Sequence, residues 1–115
     1  MEALAAHEAA VAMAPNAAAP LANLAMFQAG HGNLPAAETM LRKAAGLPDA
    51  TPQVRLNLAL VLGLQGRLQE AETLTRRDLP PEMANSNMAW LRAALVKPPA
   101  AATGRSYESL KSAGS

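Results

Sequence analysis

The strongest constraint on this chain is that one stretch copies another at a fixed offset. Subtracting 34 from the numbers of the stretch 54–79, VRLNLALVLGLQGRLQEAETLTRRDL, takes Asn57 to Asn23, Leu58 to Leu24, Ala59 to Ala25 and Gly66 to Gly32. It also takes Leu68 to Leu34, Ala71 to Ala37, Glu72 to Glu38, Thr73 to Thr39 and Arg76 to Arg42. A unit of this length holds two helices and a turn, and it buries its apolar face only by stacking on a neighbour. The expected fold is therefore all-α, an α-solenoid of antiparallel helix pairs.

Composition agrees with helices. Half of the 115 residues are hydrophobic but only 3% are aromatic, so the apolar content is mainly Ala, Leu and Met, which favour helix over strand. Formal net charge is +1 with the basic residues scattered, which removes nucleic acid and anionic membrane surfaces from the expected partners. There is no cysteine, hence no disulfide, thiol nucleophile or lipid-acceptor cysteine in these residues. The opening MEALAAHEAAVAMAP has an acid where an export signal carries lysine or arginine, and His7 and Glu8 interrupt its apolar run. The longest apolar run, Leu58 to Leu64, falls far short of the ~18 residues of a membrane span.

Residues 1–97 read as one domain, beginning with a half-repeat helix at 3–14 that stops at Pro15-Asn16. A first repeat at 18–50 has helices near 19–31 and 35–45, with Pro20 in the opening turn and Gly32 as the left-handed cap. A second repeat at 51–80 begins with Thr51 as N-cap and Pro52 at the first helical position, turns at Gly66, and continues through a helix at 68–78. A sixth helix at 82–96 does not follow the 34-residue pattern and reads as a cap shielding the last pair from water. Residues 98–115, rich in Ser, Gly and Ala, read as a flexible tail.

Over residues 3–95 the units resemble the tetratricopeptide repeat (TPR) family. The matching residues are Leu24-Ala25 and Leu58-Ala59 in the first helices, Gly32 and Gly66 at the turns, and Ala37, Ala71 and Leu41 in the second helices. Ala3, His7, Ala10 and Pro15 fill an A-x3-F-x2-A-x4-P pattern, with His7 in the aromatic slot. Small residues at Ala25 and Ala37 let two helices approach closely. The chain departs from the family at Leu21 and Arg55, where tryptophan is common, at Gln28 and Leu62, where tyrosine is usual, and at Thr75 and Asp78. A narrower resemblance covers 54–95. The strings NLALVLGLQGR, EAE, DLPP and NMAWLR are similar to the C-terminal part of TadD, the TPR lipoproteins of Tad (tight adherence) pilus assembly. That resemblance implies a periplasmic, outer-membrane-associated parent protein assisting the secretin channel. The alternatives are a cytoplasmic TPR adaptor or co-chaperone, or a regulatory domain of a larger enzyme.

The resemblance also implies where a partner sits. The first helices of TPR units line a groove, which here gives Asn23 and Met26 in one unit, and Gln53, Leu56, Asn57, Leu60 and Leu64 in the next. Such a floor suits an extended segment or a helix presenting apolar side chains, with Asn23 and Asn57 either bonding its backbone or bonding within the helices. A carboxylate clamp is not expected, because its basic slots hold Ala19, Ala22, Gln53 and Leu56, and Arg55 is turned away by helix register. The uncovered flank of the first helix is expected to favour homo-oligomers.

No catalytic, metal or cofactor chemistry is expected. His7 and His31 lie in separate units without metal-ligand spacing and read as packed or surface histidines. Glu70 and Glu72, two apart on a helix, point to different faces and do not form an acid–base pair. Met26, Met40, Met83 and Met88 read as packing residues. No nucleophile elbow or phosphate loop is present.

Overall fold

A computed structural model describes residues 2–96, so the expected flexible tail lies outside the described residues. Those residues form six α-helices and no strand: α1 (Glu2–Met13), α2 (Ala18–Gly30), α3 (Leu34–Ala45), α4 (Pro52–Leu64), α5 (Leu68–Asp78) and α6 (Pro81–Val96). The boundaries follow the breakers in the sequence. Gly32 and Gly66 have φ of 83° and 88°, a left-handed conformation that side-chain-bearing residues avoid, and each ends the first helix of a pair.

Two helix starts differ from expectation. Thr51 is extended ahead of α4, but its side chain makes no cap bond; its backbone carbonyl accepts from Val54 N at 3.1 Å instead. At α2 the preceding residue is Ala17, which has no capping side chain, and the orphan N–H of Ala18 donates to Asp49 Oδ1 at 3.0 Å. The cap thus comes from the loop before α4, tying two consecutive pairs together.

Each helix packs on the next in sequence, and in addition α2 packs on α4 and α4 on α6. The even-numbered helices therefore form a row with α4 in the middle. The core runs along this row and into its seams with α3 and α5. Leu41, Leu60, Leu62, Val61, Met88 and Leu91 are its largest fully buried apolar side chains. Ala25 and Ala37 in one pair, and Ala59 and Ala71 in the next, are completely buried, the absence of bulk at these slots permitting close helix approach. In α5 the slot of Leu41 holds Thr75, fully buried, whose hydroxyl donates to Ala71 O at 2.7 Å.

The packing of α6 adds to the sequence reading that it lies outside the 34-residue pattern. It packs on α4 and α5 as α4 packs on α2 and α3. An offset of 30 takes Val54 to Ala84, Asn57 to Asn87, Leu58 to Met88 and Val61 to Leu91. Ala84, Met88 and Leu91 are buried like their counterparts. The period is shorter because the connection from α5 to α6 has two residues, Leu79 and Pro80, whereas that from α3 to α4 has six, 46–51. The far side of α6 still has the surface of a cap: Ala89, in the slot where Ala25 and Ala59 are buried, is exposed beside Arg92 and Ala93.

Candidate functional site

Residues four, seven and eleven positions apart share one side of a helix, so Gln53, Asn57, Leu60 and Leu64 lie along a single stripe of α4. The structure divides that stripe by depth. Leu60 is 2% exposed and Leu56 is 8% exposed, both as part of the buried interior. They support the face from below and offer a partner little surface, which corrects the expectation of an open leucine floor. A charge at Leu60 would enter the core and test folding rather than binding. Leu64 and Met26, by contrast, are half-buried and pack against the core with one side still accessible.

The amides differ in state. Gln53 Nε2 donates to Asn57 Oδ1 at 3.1 Å across one helical turn, so the within-helix alternative holds for this pair. Asn23 is exposed and forms no side-chain hydrogen bond among the described residues. One helix presents a bonded amide pair and its neighbour a solvent-exposed amide.

The packing of α6 adds residues that the 34-residue frame passed over. At an offset of 30, Gln53, Asn57 and Leu60 correspond to Met83, Asn87 and Trp90. Met83 is 49% exposed, an unusual exposure for a large apolar side chain in this molecule, and Trp90 is half-buried against the core. The signal was present in the repeated Asn-(Leu/Met)-Ala at 23–25, 57–59 and 87–89, but only an offset that allows a shortened connection reveals it.

No residue at these slots of α2, α4 and α6 carries a charge. The ion pairs cluster around the odd-numbered helices. Glu38 accepts from Arg42 Nε at 2.8 Å, from Arg67 Nη1, and from Gln65 Nε2 at 3.0 Å, while Arg42 also donates to Glu70. Burial pushes the Glu38 carboxyl up, but the hydrogen bonds from Arg67, Arg42 and Gln65 together outweigh it and hold the pKa at about 2. In the next unit Glu72 pairs with Arg76 at 2.8 Å and Arg92 at 3.6 Å, and the Arg76 hydrogen bond lowers its pKa. Arg55 makes a two-pronged contact with Asp78, Nε to Oδ2 and Nη2 to Oδ1 both at 2.9 Å. Its guanidinium is thus committed to the end of α5, as the register suggested.

His7 and His31 flank Phe27, with ring centroids 5.2 Å and 4.4 Å from it, and His31 Nδ1 lies 2.9 Å from Phe27 O. His7 packs across the α1–α2 contact, while exposed His31 lies against Phe27 one turn away at the end of α2. Among the described residues no three His, Cys, Asp or Glu side chains are grouped to hold a metal ion, and no helix is long and apolar enough to cross a membrane. In comparison with known proteins, no family model, curated protein or solved structure matches the chain.

Proposed function

We propose that this chain is a non-catalytic protein-binding scaffold, a TPR-like α-solenoid segment whose partner lies along the row formed by α2, α4 and α6. The observation that supports this reading is that the partner-facing slots of α2 and α4 carry no charge and combine exposed amides, Asn23 and Gln53, with half-buried Asn57, Met26 and Leu64. Apolar side chains supply area for burial, and amides satisfy the polar groups of a polypeptide that covers them.

Within this reading the partner belongs to a Tad-type pilus assembly, most directly the periplasmic part of its secretin. The strings NLALVLGLQGR, DLPP and NMAWLR support that assignment. Calorimetric titration of the purified secretin domains into this protein tests both levels. Binding is expected, and Met26→Glu, at a half-buried surface position, should abolish it while leaving the far-ultraviolet circular dichroism unchanged. Absence of binding overturns the pilus assignment. Binding that survives Met26→Glu and Leu64→Glu overturns the face.

A further inference from the structure

We propose that copies of this chain stack head to tail, with α6 of one copy packed against α1 and α2 of the next. The inference is independent of what binds the row. It concerns the two ends of the array, which carry the two halves of a contact that the molecule already makes internally, where α2 meets α4 and α4 meets α6.

The leading end is open on a face that is covered elsewhere in the chain. At an offset of 34, Ala3, Ala10 and Met13 of α1 correspond to Ala37, Ala44 and Leu47. Ala37 and Ala44 are completely buried, whereas Ala3 and Ala10 are exposed and Met13 is 87% exposed. The edge of α2 behaves alike: Asn23 is exposed and Phe27 half-buried, while their counterparts Asn57 and Val61 are half-buried and completely buried. These slots close where the first helix of a pair lies before them, and among the described residues none lies before α1.

The trailing end is open on the opposite face. Ala89 and Ala93 of α6 are exposed, although Ala59 and Gly63, at the same slots of α4, are buried. Thus α6 is a first helix without a second, and α1 a second helix without a first. Each end supplies what the other lacks.

Size and charge agree with this pairing. Gly63 lets α4 touch Leu91, since an added methyl group there would lie 2.7 Å from Leu91 Cδ1. Across two copies the corresponding slots hold Ala93 and Phe27, again a small residue opposite a large one. The face of α1 formed by Ala3, Ala6, Ala10 and Met13 carries no charge, and on α6 Arg92 already has Glu72 at 3.6 Å. No unpaired ion is enclosed. A repeat array recognises the geometry of its own repeats, which makes a second copy the fitting occupant. Because the two faces are unlike, the contact does not close on itself and propagates as an open chain. The row of α2, α4 and α6 then runs on into the α2 of the next copy.

Sedimentation velocity on the full chain tests this. Mean mass should rise past that of a dimer between about 0.01 and 1 mM, the range of a weak contact. Ala10→Arg and Ala89→Arg alter exposed residues, so helicity should be unchanged, yet each puts a long charged side chain into the contact and should weaken association by at least about tenfold. Mixed in equal amounts, the two variants still hold one intact edge each, the trailing edge on Ala10→Arg and the leading edge on Ala89→Arg. They should form a dimer that grows no further.

A strict monomer over that range overturns the proposal, as does an unsubstituted chain whose mass levels off at two copies. Association that keeps its full strength in either variant also overturns it, and survival in Ala89→Arg with loss in Ala10→Arg would place α1 against α1 instead. A mixture of the two variants that stays monomeric overturns the pairing of unlike ends.

Discussion

At Gly63 an added methyl group would sit 2.7 Å from Leu91 Cδ1 and 2.9 Å from Cδ2, and Leu91, 1% exposed, has no empty volume to retreat into. The missing side chain is what lets the backbone of α4 touch α6. Gly63→Ala should therefore cost about 1–3 kcal/mol through overpacking, although alanine is the better helix former. Chemical denaturation measures this, and an unchanged midpoint would show that the two helices are not in contact there. Glu38 is held in its ionised form by hydrogen bonds from Arg67, Arg42 and Gln65. Its pKa is lowered from the ordinary 4.5 to about 2, so its network contributes fully above about pH 4.5 and is lost as pH falls through about 2. Thermal melting points should decline over that window, and Glu38→Gln should make the decline shallower. Equal slopes in the two proteins would sink the assignment. Glu72, lowered in the same direction by Arg76, accounts for part of the slope that remains.

Among the elements, α1 is the least secured. It packs mainly on α2 and holds on through half-buried Leu4, His7 and Val11, with no described side chain reaching full burial. Ala3 and Ala10 are exposed in slots where Ala37 and Ala44 of α3 are completely buried. Area, not helix propensity, sets the difference, since α1 is rich in alanine and glutamate. Native-state hydrogen exchange should show α1 amides opening well before those of α4, which is buried between four other helices. Comparable protection in α1 and α4 would refute this order. The second pair is secured differently: the Arg55–Asp78 contact joins the start of α4 to the end of α5 where the first pair has Leu21 and Ala44. An ion pair here takes the place of apolar packing, which explains two of the residues that depart from the repeat pattern.

For the whole molecule, the arrangement follows from which helices touch. The even-numbered helices pack on one another as well as on their sequence neighbours, so the interior belongs to their row and the ion pairs collect around the odd-numbered helices. Every ion pair among the described residues thus has a partner on α3 or α5, without any segment being wholly apolar or wholly charged. Helix existence and limits were readable in advance because glycines, prolines and the Asn-Leu-Ala strings are local signals. Of the site, the stripe Gln53, Asn57, Leu60 and Leu64 was readable as a set, because it depends only on helical period.

Depth was not readable. Asn23, Met26 and Leu60 were expected on the same face, yet one is exposed, one half-buried and one in the core, because burial is set by helices far away in the chain. The same holds for the Asp49 cap on α2 and for Met83, Asn87 and Trp90, whose membership of the row depends on how a two-residue connection lays α6 against α4. By itself the sequence determined the helices, the turns, the small-residue seams and the absence of charge along one stripe, since each is a property of neighbouring residues. Only the tertiary structure decided which leucines became core, which residues remained accessible and that the row has three helices, since those depend on contacts made after the chain has turned back on itself.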